Sequence, residues 1–145
     1  MDEISAGKED SRSIKPDLLI KDAKSKDYDA IVLPGGLGNP DTLRTEESVK
    51  LLVRNFAEEG KVIAAICHAP WVLISADIVK GREMTSYPSI QDDLRNAGAN
   101  WVDKEVAVSN GIITSRSPND LKAFNAKIVE EIREGRHDRP ASQAA

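Results

Sequence analysis

At 145 residues, with 40% apolar and 30% charged residues, the chain is sized and composed for one globular domain with one core, not two. A net charge of -4 and an aromatic content of 4% exclude the basic, aromatic-rich face of a nucleic-acid binder, and no apolar run approaches the roughly 20 residues that span a bilayer. One cysteine makes no internal disulfide, and one cysteine with two distant histidines gives no zinc spacing, so neither metal nor cofactor is expected; without a signal-like N-terminus, the expected compartment is the cytoplasm.

Residues 1–16 are polar and aperiodic and read as a flexible arm. A short helix is predicted over 17–23 with Asp17 as N-cap, followed by a buried strand over 30–33 that closes on Pro34-Gly35-Gly36. Residues 37–41 read as loop. Thr45 then caps a helix running to Gly60, with Val49, Leu52, Val53 and Phe56 on one face. The run Val62-Ile63-Ala64-Ala65-Ile66 lacks the alternation of a half-exposed strand and so predicts a central strand buried on both faces. Cys67 follows it, and His68-Ala69-Pro70 opens a helix over 70–76 with proline in its first turn.

Further on, a strand over 84–87 ends at Pro88, a helix covers 89–97, and strand pieces at 101–102, 106–108 and 112–114 surround the hairpin signal Asn110-Gly111. The last helix starts with Ser117 as N-cap and Pro118 at its first position, and Leu121, Phe124, Ile128 and Ile132 line its buried face. Residues 136–145 read as a disordered tail in which His137 is solvated, leaving 17–135 as one α/β domain: an open, mostly parallel sheet with helices on both faces.

Cys67 sits where such a sheet binds ligands, at the carboxyl end of a strand. A strand-to-helix turn lifts a side chain clear of the sheet and turns backbone N–H groups toward it, which favours a thiolate. Ala65 and Ala69 stand at the two offsets where the serine elbow G-x-S-x-G carries its glycines. Gly35 and Gly36 end the neighbouring strand in the simplest topology, which would place an oxyanion-binding cradle beside the nucleophile. His68 can serve as base only if the turn folds its ring back toward the sulfur.

Four ordered stretches, 29–36, 65–70, 85–88 and 115–118, resemble the PfpI-like intracellular proteases and deglycases of the class I glutamine amidotransferase-like superfamily. The resemblance implies a flavodoxin-like three-layer sandwich with Cys67 as nucleophile and His68 as its partner. It further implies the Gly36 and His68 amides as oxyanion donors, with Gly35, Ala69, Arg116 and Pro118 among the binding residues. Asp41 matches the acid that, in protease-like members, a neighbouring subunit contributes, so a homo-oligomer, from dimer to hexamer, is expected. The family's initial strand-helix-strand, with the glutamate that meets the sulfur, has no counterpart before residue 17, so the domain is expected to be N-terminally shortened, leaving the edge of the 30–33 strand to the arm or to a second copy of the chain.

The function implied is a cysteine-dependent hydrolase or lyase acting on small carbonyl compounds or peptides, of the glyoxalase, deglycase or peptidase type. Two other readings use the same residues: a redox-sensing stress protein or holdase whose thiol is oxidised without turnover, and an inactive interaction module.

Overall fold

The computed structural model describes residues 4–6 and 12–139. Within the N-terminal stretch, β1 (Ile4–Ala6) and β2 (Arg12–Ile14) pair antiparallel with each other, not with the main sheet. The short helix expected over 17–23 is replaced by two single turns of 3-10 helix, Ile20–Asp22 and Ser25–Asp27. Leu18 and Ile20 remain exposed there, so no apolar stripe drives a longer helix.

The main sheet has the order β3-β4-β8-β7, formed by β3 (Ala30–Leu33), β4 (Val62–Ile66), β7 (Ala107–Ser109) and β8 (Ile112–Ser115). The first three strands run parallel, and β7 returns antiparallel through the Asn110-Gly111 hairpin. Asn110 and Gly111 both take positive φ, 49° and 78°, as a tight hairpin requires. A separate parallel pair joins β5 (Glu83–Met84) to β6 (Asn100–Trp101), so the strand expected over 84–87 is only two residues long.

Five α-helices accompany these strands among the described residues: α1 (Gly38–Leu43), α2 (Glu47–Glu58), α3 (Pro70–Ser75), α4 (Gln91–Asn96) and α5 (Leu121–Glu134). All five residues of β4 are buried, and its alternate side chains enter two cores. Ile63 and Ala65 pack with Val53 and Phe56 of α2 and Leu73 of α3, while Val62, Ala64 and Ile66 pack with Ile113 and with Phe124 of α5. Two covered faces explain the unbroken apolar run. Among the described residues, β3 pairs only with β4, and its Val32 is 50% exposed.

Two further expectations need correcting. Residues 37–41 are not simply loop, because α1 begins at Gly38 and buries Pro40 and Leu43. Residues 136–139 are not loose either: Arg139 is buried, and its guanidinium donates to the carbonyls of Phe56, Ala57, Lys61 and Asn110. His137 is folded in with it, its side chain only 14% exposed and 3.1 Å from Glu131, so it is not a solvated residue. Residues 140–145 lie outside the described residues.

Candidate active site

Cys67 occupies the turn between β4 and α3 with φ 66°, in the left-handed region that costs a non-glycine residue about 1–2 kcal/mol. The surroundings hold it there. Its amide donates to the Ser115 carbonyl at 3.0 Å, and its own carbonyl accepts from the Tyr87 amide at 2.9 Å. A strained conformation anchored on both sides fits a functional site. The sulfur is neither sealed nor fully open.

The parallel pairing of β3 with β4 brings Gly35 against the elbow. A Cβ built on Gly35 would lie 2.6 Å from Cys67 Cβ and 2.9 Å from the Ile66 carbonyl oxygen, so only glycine fits without displacing Cys67. Gly36 turns away with φ 83° and open space around its Cα. Among the described residues, neither the Gly36 amide nor the His68 amide donates to a backbone carbonyl.

The His68 ring does fold back. Nδ1 lies 3.3 Å from Cys67 Sγ, and Nε2 lies 3.2 Å from Ser89 Oγ. Tyr87 stacks on the ring at 4.8 Å between centroids, and Trp71 meets it edge-on at 5.2 Å. Trp71 is in turn tied by its indole N–H to Asp93 at 2.8 Å. Burial among these rings lowers the His68 pKa below its ordinary value, favouring the neutral imidazole. The tautomer protonated at Nε2 satisfies both contacts: it donates to Ser89 and leaves the Nδ1 lone pair facing the thiol.

The remaining expected residues separate. Ala69 is fully buried and its amide donates to the Ile66 carbonyl, so its contribution is a small side chain at the elbow and not a free donor. Asp41 lies exposed in the first turn of α1 and is not among the groups that meet the His68 ring within this chain. Arg116 is engaged by two carboxylates. Its Nε and one terminal nitrogen donate to the two oxygens of Asp120, and the other terminal nitrogen donates to Asp103 at 2.9 Å. These bonds, to Asp120 first, raise the Arg116 pKa further above its ordinary value. Pro118 is exposed and opens the 3-10 turn Pro118–Asp120 that leads into α5.

Arg116 lines a cleft of about 370 Å³ with Tyr87, Pro88, Asp103, Ser117, Asn119 and Asp120. Cys67 is outside this lining, but Tyr87, which stacks on His68, forms the shared wall. Sequence reasoning assigned no role to Ser89, Tyr87 or Trp71. The usable signal was Tyr87-Pro88, a ring and a helix-breaking proline just beyond a strand.

Comparison with known proteins agrees with this architecture. The model of the DJ-1/PfpI family matches residues 2–131. A Bacillus subtilis protein, YraA, whose name marks it as a candidate cysteine protease, is 46% identical over 135 residues, covering 90% of this chain and 79% of that protein. The deglycase PfpI of Pyrococcus furiosus is 42% identical over 121 residues, covering 83% of this chain and 72% of the relative. Among solved structures, Drosophila melanogaster DJ-1beta superposes with a TM-score of 0.76 at 36% identity, over 86% of this chain and 70% of that one.

Proposed function

Because this chain belongs to the DJ-1/PfpI family, we propose that it is a cysteine-dependent hydrolase or lyase of carbonyl compounds, with glyoxalase and deglycase chemistry and a related peptidase capacity. The observation that carries this reading is the Cys67–His68 pair: a thiol held at φ 66° with an imidazole nitrogen 3.3 Å away. Named relatives that are deglycases support the substrate class.

In this reading His68 Nδ1 takes the Cys67 proton as Sγ attacks an aldehyde carbon. The C–S bond forms, the carbonyl electrons move to oxygen, and the Gly36 and His68 amides hold that oxygen until a proton reaches it, giving a hemithioacetal. For a 2-oxoaldehyde, a hydrogen shift between the two carbons gives a thioester, and water releases the 2-hydroxy acid and restores the thiol. The net reaction adds one water and needs no external oxidant. An amide or glycated amine would pass through the corresponding tetrahedral species.

Asp41 is the group this reading assigns to a second copy of the chain, reaching His68 across an oligomer interface, which fits its exposed position on α1. The cytoplasm, where thiols are kept reduced, is the compartment this reading assigns. The test is incubation with methylglyoxal: lactate should accumulate, and Cys67→Ala should abolish it. Lactate production by Cys67→Ala at the parent rate would end the proposal.

A further inference from the structure

At the end of α5, outside the site around Cys67, three ligand-type side chains converge. Glu131 and Glu134 lie on the last turn of α5, and Gly135, with φ 89°, turns the chain so that His137 returns over the helix end. The His137 amide donates to the Gly60 carbonyl at 2.7 Å, which fixes the return. One oxygen from each glutamate and one ring nitrogen of His137 lie within 4.8 Å of one another. The spacing is Glu-x-x-Glu-x-x-His, outside any cysteine-based zinc pattern.

A second observation singles out this cluster. The Glu131 side chain is only 8% exposed, and its carboxylate lies 3.1 Å from His137 Nε2. That contact is close enough for an ion pair but is misaligned for a hydrogen bond, since the buried Nε2 has no hydrogen-bond partner among the described residues. His137 Nε2 is therefore a buried ring nitrogen without a hydrogen-bond partner, facing a carboxylate more than nine-tenths buried. Buried polar groups are seldom left so, because each orphan costs about 1–3 kcal/mol. A cation held between the carboxylate and the ring would give that nitrogen its missing partner.

We propose that Glu131, Glu134 and His137 bind a divalent first-row cation, with Zn²⁺ the leading candidate. One imidazole and two carboxylates form a borderline-hard donor set suited to Zn²⁺, and three protein ligands leave positions for water. Bonds of about 2.0–2.2 Å require the three donor atoms to draw in somewhat, which exposed Glu134 allows by rotating while buried Glu131 and His137 stay in place. The two carboxylates balance the charge of the ion. Arg139 and Lys127 lie close enough to interact with Glu131, which tempers the affinity. The bound ion ties residues 135–139 to the helix end, where Arg139 already braces the amino ends of β4 and β8.

The test is isothermal titration of the metal-stripped full chain with ZnCl2, repeated on His137→Ala, Glu134→Gln and Cys67→Ala. One ion per chain is expected, weakened at least about tenfold in His137→Ala and in Glu134→Gln and unchanged in Cys67→Ala. Glu134 is exposed, so its isosteric change keeps the fold if His137→Ala does not. Absence of binding, loss of binding in Cys67→Ala, or unchanged affinity in either His137→Ala or Glu134→Gln overturns the proposal.

Discussion

Gly35 and Cys67 meet so closely across the β3–β4 pair that a Cβ on Gly35 would stand 2.6 Å from Cys67 Cβ. The obstacle is backbone and Cβ, not the movable end of a long side chain, so relief must shift the elbow itself. Gly35→Ala should therefore fold but lose at least about tenfold in thiol-dependent rate, because small misplacements of a reacting group are costly. Circular dichroism with methylglyoxal turnover checks it; a full-rate Gly35→Ala enzyme would show that the contact does not position the sulfur.

The left-handed backbone of Cys67 predicts an unusual ranking of two inactive variants. Glycine relieves the steric cost of positive φ, whereas alanine keeps it. Cys67→Gly should be more stable than Cys67→Ala by about 1 kcal/mol. Urea denaturation of the pair gives the answer, and equal or reversed midpoints would mean that the turn relaxes without strain.

Burial of His68 has a consequence for pH. Its folded pKa lies below the ordinary 6.5, so between those two values the unfolded chain binds a proton that the folded chain does not. Stability should therefore fall as pH drops below about 6.5 and level off beneath the depressed folded value. His68→Gln should flatten that part of the curve. Denaturation midpoints from pH 7.5 to 4.5 test this, and an unchanged wild-type-like slope in the variant would remove His68 as its source.

The elbow and the β3–β4 neighbourhood were legible because their signals are local: unbroken apolar runs that end in Gly35-Gly36 or in Cys67-His68, the latter followed by a proline-started helix. The ring environment of His68 was not, since Tyr87 and Ser89 reach it from a segment far along the chain while Trp71 comes from α3, and no periodicity links them. α1 was hidden because Gly38-Asn39-Pro40 carries turn chemistry; burial of Pro40 and Leu43 overrides it. The return of His137 and Arg139 was hidden for a related reason. A charged, proline-bearing segment resembles a tail, and the carbonyls that capture Arg139 belong to elements far away in sequence.

Asp41 offers a separable prediction about assembly. If it orients His68 from a second copy, Asp41→Asn should lower turnover while leaving the Cys67–His68 contact within each chain intact. Mixing Asp41→Asn with inactive Cys67→Ala should then restore part of the rate, because mixed oligomers pair an intact cysteine with an intact aspartate. Turnover unaffected by Asp41→Asn, or no recovery on mixing, would refute the action in trans.

Arg139 makes the last prediction, at the other end of the same strands. Its guanidinium donates to Asn110 and Lys61 carbonyls at 2.8 Å and to Ala57 at 3.1 Å, so it joins the end of α2, the start of β4 and the β7–β8 hairpin. Burial, followed by repulsion from Arg82, pushes its pKa down to about 10, which still leaves it charged at neutral pH. Removing the side chain strands these buried acceptors, so Arg139→Ala should lose about 2–4 kcal/mol of stability. Lysine should not rescue it, because one ammonium cannot present the planar fork that reaches three segments at once. The rate per folded molecule should be unchanged, since Cys67 lies at the opposite end of β4. Guanidinium denaturation together with active-site titration separates these effects. An Arg139→Lys chain as stable as the parent would show that charge alone, not the fork of donors, holds the strap in place.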